Sequence, residues 1–182
     1  PAAELVDDKL TSRYDVRRVG ACDGVDEHFF AIGTEKKVLH PLVQRLVSDF
    51  QAVWITPECL PAFTQATAGE QVLLFTGDPV RFPECLDVAV VLPELQRAFE
   101  PGHGRIAIGV VCREVEDDLA RRYGVQRWPS MVFLRGGQYV ATIAGMLDWT
   151  DYLARVREVL ATPTSRPPIP LVSPHADDSH CH

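Results

Sequence analysis

"RYGVQRWPSMVFLRGGQYVATIAG", residues 122–145, sets out a Tyr-Gly-Val, an aromatic-proline pair, an apolar run, two glycines, a second apolar run and a closing glycine. The runs "MVFLR" and "QYVATI" read as two strands of a hairpin, because Gly136 and Gly137 accept the positive φ that tight hairpin turns demand. Pro129 has a fixed φ and no N–H to give a sheet, so it belongs between elements. It either opens a strand in the trans form or takes the cis form in a tight turn.

Outward from this stretch the chain alternates. Downstream, "DWTDYLARVREVL" (148–160) is an amphipathic helix for which Asp148 is the expected cap. Upstream, "REVEDDLARRYGV" carries acids at its start and Arg121 and Arg122 at its end, as the helix dipole favours. "RIAIGVV" (105–111) and "QVLLFT" (71–76) are continuous apolar runs, the mark of strands covered on both faces. Between them lies a proline-bearing loop, "GDPVRFPECLD", after which Asp87 is expected to cap a helix, "VAVVLPELQRAF", with Pro93 in its interior. "AVWI" (52–55) is a short strand. In "TPECLPAFTQATAG", Thr56 is the expected helix cap, Pro57 the first helical residue, Pro61 a bend and Gly69 the stop. "PLVQRLVSDF" places Leu42, Leu46 and Phe50, with Val43 and Val47, on one helical face behind Pro41.

After that first helix the order β-α-β-α-β-α-β-β-α predicts an α/β sandwich with a mixed sheet of four to five strands flanked by helices. Three segments are expected. Residues 1–40 form an extension in which "YDVRRVGA" and "HFFAI" are short strand candidates punctuated by glycines; 41–160 form the folded domain; 161–182, rich in proline and histidine, form a disordered tail.

At 182 residues the chain has room for one domain with a sizeable core. A net charge of −7 argues against general nucleic-acid binding, which needs a basic footprint, and is compatible with a basic partner. No apolar run approaches the roughly 20 residues of a membrane span, and no secretory or twin-arginine export signal is expected in the polar N-terminal stretch. Five cysteines at irregular spacings (Cys22, Cys59, Cys85, Cys112 and Cys181) make a poor disulfide framework, so a reducing, cytoplasmic setting is expected.

Three groups of residues bear on chemistry. Asp78, Glu84, Asp87 and Glu94, with Arg81 among them, surround Pro79 and Pro83. They are either a solvated acidic loop or a site for arginines of a partner, where bidentate pairing gives direction. They have no companion histidine or metal pattern that would suit acid–base catalysis. Cys85 is either a small apolar residue or a lone thiol activated near a helix start; alone it cannot complete a two-thiol exchange. Cys59 and Cys112 are read as small apolar residues. The tail "HADDSHCH" offers His175, Asp177, Asp178, His180, Cys181 and His182, a ligand set suited to Zn or Ni but without fixed geometry.

The 122–145 stretch resembles the second half of a thioredoxin. In that fold the proline takes the cis form and its neighbours expose backbone groups that pair with an extended peptide, which marks Trp128 and Pro129 as binding positions. Thioredoxins act through two cysteines three positions apart, and this chain has no Cys-x-x-Cys. If Pro93 corresponds to the proline five residues after the second cysteine, the two positions fall on Cys85 and Val88. From about Leu42 to Leu160 the chain resembles the HyaE/HupG family of [NiFe]-hydrogenase expression proteins. The resemblance rests on "VLLFTGDPVRFPECLDVAVVLPEL" (72–95), where the redox motif would be, and on "RYGVQRWPSMVFLRGGQYVATIAGMLDWTDYL" (122–153), through its aromatic-Pro, glycine and Asp-Trp positions. It implies a thioredoxin-like chaperone with no cofactor and no turnover, holding the twin-arginine signal peptide of the hydrogenase small-subunit precursor in the cytoplasm before export, with other maturation proteins as further partners. On that reading the binding residues are Asp78, Arg81, Glu84, Asp87, Glu94, Trp128 and Pro129. Two alternatives stand beside it: a monothiol oxidoreductase using Cys85, and a metal-handling accessory protein using the tail.

Overall fold

A computed structural model describes residues 40–66 and 69–168. The strand candidates before His40 and the candidate ligands His175, Asp177, Asp178, His180, Cys181 and His182 lie outside the described residues. In chain order the elements are α1 (Pro41–Phe50), β1 (Val53–Ile55), α2 (Leu60–Ala66), β2 (Glu70–Phe75), α3 (Glu84–His103), β3 (Ala107–Val111), a 3-10 turn (Arg113–Val115), α4 (Glu116–Tyr123), β4 (Ser130–Arg135), β5 (Gln138–Ala144) and α5 (Trp149–Ala161).

The five strands form one sheet in the order β1-β3-β2-β4-β5. β3 runs parallel to both β1 and β2, whereas β4 is antiparallel to β2 and to β5. β2 is therefore central and buried along its whole length, as its unbroken apolar run predicts. Its side chains alternate between two cores. Val72 and Leu74 face one, with Ile108, Val110, Met131 and Phe133, covered by α1, α3 and α5 through Leu46, Leu92, Leu95, Tyr152 and Val156. Leu73 and Phe75 face the other, with Ile55, Val132 and Leu134, covered by α2 and α4 through Leu60, Phe63, Leu119 and Tyr123. Alternation along the strands supplies both cores at once. This is the thioredoxin-like sandwich expected from the sequence, with five strands.

Two helices begin elsewhere than expected. α2 starts at Leu60 rather than behind Thr56, because Cys59 takes over the turn: its Sγ accepts from the Thr56 N–H (3.1 Å) and lies 3.3 Å from the Trp54 carbonyl. Pro61 then falls in the first turn, where no N–H is missed. α3 starts at Glu84, so Asp87 sits in its first turn instead of capping it. Cys85 and Val88, three residues apart on one face, are both buried and draw that first turn onto the core. The helix runs through Pro93, itself buried, and ends beyond Pro101.

Beyond α5 the chain is tied down. Arg135, at the end of β4, gives Nη1 to the Thr162 carbonyl (2.8 Å), Nη2 to the Leu160 carbonyl (2.9 Å) and Nε to Glu70 (2.6 Å). It thus serves the open carbonyls at the end of α5. Residues 162–168 then pass β5, where the Ser165 N–H donates to the Tyr139 carbonyl (2.7 Å), and reach the glycine that ends α4. Gly124 has φ +68 and no room for a side chain, since a Cβ there would run into the Pro168 carbonyl. Gly136, at φ +56, faces open space. Gly136→Ala should therefore cost about 1 kcal/mol, from backbone conformation alone. Gly124→Ala should cost more, because it also displaces Pro168. Urea unfolding of the two variants side by side checks the order.

Candidate functional site

The site lies where β2 ends. The chain leaves Phe75, turns at Gly77 (φ +68), and forms a compact loop before α3. Asp78 organises this loop: its Oδ1 accepts from the Val80 N–H (2.9 Å), and its carbonyl accepts from the N–H groups of Arg81 (3.0 Å) and Phe82 (2.7 Å). A short polar side chain bonded two residues ahead is the turn-forming habit of aspartate. Val80 is thrown outward and is 92% exposed.

Two contacts hold the loop against the rest of the molecule. Phe82 stacks on Trp128 with ring centroids 5.9 Å apart, and both rings close over Gly77, where a Cβ would come within 2.7 Å of Phe82 and 2.9 Å of Trp128. From below, the Glu116 carboxylate accepts the Gly77 N–H at 2.9 Å and the Arg113 Nη1 at 2.9 Å. Glu116 is fully buried. Burial pushes its carboxyl above the ordinary carboxylate range, while the Gly77 N–H and Arg113 pull it back.

The Trp128–Pro129 peptide bond is cis, as the resemblance implied. The Pro129 carbonyl accepts from the Gly145 N–H (2.7 Å), fastening the cis-proline turn to the end of β5. Among the described residues, the backbone amide and carbonyl of Trp128 have no partner.

The expected binding residues divide. Asp78 lies in the loop and Glu84 and Asp87 in the first turn of α3, on either side of Cys85, and their charges, with that of Glu116, add to burial in raising its thiol. Arg81 lies on the same loop, its guanidinium 5.4 Å from the Phe82 ring. Trp128 and Pro129 border the loop through the stack on Phe82. Glu94 does not join them. It sits about 15 Å further along α3 by helical rise and pairs with Arg97 at 2.7 Å. Cys85 is buried at 0% exposure, and burial, reinforced by Glu116, Glu84, Asp78 and Asp87, pushes its thiol up to about 11. The companion position, Val88, is buried beside it. Cys59 and Cys112 are buried too, in keeping with their apolar reading.

Glu116 is the residue that sequence reading missed. By residue type it is one of several acids favoured by a helix start, whereas the structure uses it as an internal hydrogen-bond acceptor 39 residues away from its partner. The available signal was Arg113 three residues before it, the spacing of a helical ion pair. Among the described residues no group of three or more His, Cys, Asp and Glu could hold a metal ion, and no helix is long and apolar enough to cross a membrane.

Two outcomes follow from this geometry. Cys85 should resist alkylation in the native protein at pH 7, where its thiolate is scarce, and react on unfolding; mass spectrometry after iodoacetamide treatment measures this. Glu116→Ala should lower stability by about 2–4 kcal/mol, because it orphans the Gly77 N–H and Arg113. Glu116→Gln keeps an acceptor for Gly77 and removes the buried charge. A carboxyl raised by folding supports stability when protonated, and that support is lost as pH rises from the ordinary carboxylate range through the folded value. The stability of Glu116→Gln relative to wild type should therefore increase with pH across that window. A pH-independent difference in denaturant midpoints would contradict it.

A family model described as hydrogenase-1 expression protein HyaE matches residues 42–152. The hydrogenase expression/formation protein HoxO of Cupriavidus necator is 54% identical over 145 residues, covering 78% of this chain and 88% of that protein. The HoxO of Azotobacter vinelandii is 39% identical over 145 residues, covering 79% of this chain and 95% of the relative. A crystal structure from Rhodopseudomonas palustris CGA009 is 38% identical, covers 60% of this chain and 95% of its own, and superposes with a TM-score of 0.43. With more than half of its length matched, including both the loop after β2 and the cis-proline turn, the chain belongs to the HyaE family.

Proposed function

We propose that this chain is a non-catalytic chaperone of [NiFe]-hydrogenase maturation, which holds the twin-arginine signal peptide of the small-subunit precursor in the cytoplasm before export. Membership in the HyaE family, and relatives named hydrogenase expression/formation proteins, support the hydrogenase setting. The observation that carries the binding role is that Asp78, in the loop after β2, and Glu84 and Asp87, in the first turn of α3, flank the buried Cys85. None of the three forms an ion pair with a described residue. Unpaired carboxylates on one loop and one helical turn can each take a guanidinium, with the geometric selectivity that planar pairing brings. The open amide and carbonyl of Trp128 provide backbone partners for an extended segment beside them.

The burial of the thiol supports the same reading. A nucleophilic cysteine needs exposure and a lowered pKa, and Cys85 has neither. Chaperoning accordingly requires only affinity, which the acidic face supplies together with an on-rate helped by opposite charge.

The expected result is that the triple reversal of Asp78, Glu84 and Asp87 to lysine weakens capture of a twin-arginine peptide by at least about tenfold in calorimetry. Unchanged affinity would refute this placement of the site. Robust disulfide reduction that vanishes in Cys85→Ser would refute the non-catalytic assignment.

A further inference from the structure

Arg127 directly precedes the cis Trp128–Pro129 pair, and the expected binding set makes no use of it. Its backbone is held, because the Ser130 hydroxyl donates to its carbonyl at 2.6 Å. Its side chain reaches Gly145, the glycine whose N–H donates to the Pro129 carbonyl. A Cβ on Gly145 would lie 3.1 Å from the Arg127 Cζ and 3.2 Å from both Nε and Nη2. The central carbon is thus as near as the two nitrogens beside it, which requires the guanidinium to present its flat face to the glycine. An edge-on approach between those nitrogens would leave Cζ the most distant of the three. With φ +79 and no side chain, Gly145 gives the plane a seat on bare backbone.

That orientation decides what the group can do. The N–H bonds of a guanidinium lie in its plane, so a plane laid flat on Gly145 directs them sideways rather than into the protein. Arg127 is exposed, and its guanidinium has neither an ion pair nor a hydrogen bond to a described residue. An ordered fork with open donors fits a carboxylate, which can accept two of them side by side. The neighbouring residue supplies the context. Trp128 has no backbone partner among the described residues, while its ring stacks on Phe82 of the loop that carries Asp78. Residues 127 and 128 therefore send their side chains to different neighbours, one to Gly145 and one to the acidic loop. A partner's carboxylate is repelled by Asp78, Glu84 and Asp87 and attracted by Arg127.

We propose that Arg127, seated on Gly145, is an anion-recognition point that takes an acidic side chain of the extended segment paired to the Trp128 backbone. The inference rests on the peptide-binding reading above and adds a contact of opposite sign. Arginines of the segment go to the acidic loop and a carboxylate goes to Arg127, which together fix the register in which the segment lies.

The test uses the full chain and a series of fluorescein-labelled synthetic peptides with two adjacent arginines. One glutamate is moved stepwise along the series, and each peptide has a glutamine counterpart. In fluorescence anisotropy, wild type should favour glutamate over glutamine by about three- to fivefold at one position or two neighbouring ones. Arg127→Gln should bring that advantage to within about 1.5-fold while leaving the glutamine peptides unchanged, and Arg127→Lys should restore part of it. Unfolding midpoints establish that the variants are folded. Binding of the series with no glutamate advantage at any position would overturn the recognition point and leave the peptide-binding reading in place. An advantage that survives Arg127→Gln but is lost in Arg81→Gln would give the carboxylate to the loop arginine and also overturn it. Failure of wild type to bind any peptide of the series would overturn both.

Discussion

The bond from the Gly77 N–H to the buried Glu116 carboxylate joins the two parts of the chain on which the candidate site depends. One end lies in the loop between β2 and α3, and the other at the start of the helix after β3. A carboxylate removed from water is costly unless its lone pairs are occupied, and here Gly77 and Arg113 occupy them. The arrangement constrains more than itself. Gly77 gives its amide to Glu116 and turns at positive φ, and its missing side chain lets Phe82 and Trp128 close over it. The stack in turn ties the loop to the Trp128–Pro129 turn. Loop, helix start and turn are thus fixed relative to one another by one internal acceptor and one pair of rings.

The same constraint accounts for the fate of the thiol position. A buried Glu116 and three carboxylates above it make a negative setting around Cys85, the opposite of the electropositive pockets in which cysteines become thiolates. Tyr152 links this region to α5, since its hydroxyl reaches the end of β5 while its ring fills the core shared with α3.

Much of this was legible in the residues. The hairpin at 130–144 was announced by Gly136 and Gly137, and β2 and β3 by uninterrupted apolar runs, because backbone conformation and two-sided burial leave local marks. Helix starts were less legible. Thr56 and Asp87 are good caps by residue type, yet Cys59 took over one turn and the burial of Cys85 advanced the other, both consequences of tertiary packing. Glu94 looked like a neighbour of Asp87 in sequence, but helical rise carries it away. Asp78, Glu84 and Asp87 are close in sequence as well as in space, so a local reading could find them. Glu116 could not be found in that way: nothing near it in sequence indicates that its partner is an amide across the sheet.

The stretch from Thr162 to Pro168 has a consequence for how this sheet can meet other chains. An open sheet has two rims, and an unpaired rim invites another strand. At β1 the rim is only three residues long. At β5 the chain lays its own continuation alongside, bonding Tyr139 through Ser165, and the prolines at 163, 167 and 168 give that continuation little capacity to recruit a further strand. Lateral growth of the sheet is thus discouraged on both sides, by brevity on one and by self-coverage on the other. At the end of the sandwich, Trp128 has no partner for its amide and carbonyl among the described residues. On the proposed peptide-binding reading, the amide and carbonyl of one residue take one extended strand in one place, and selectivity comes from the side chains around them.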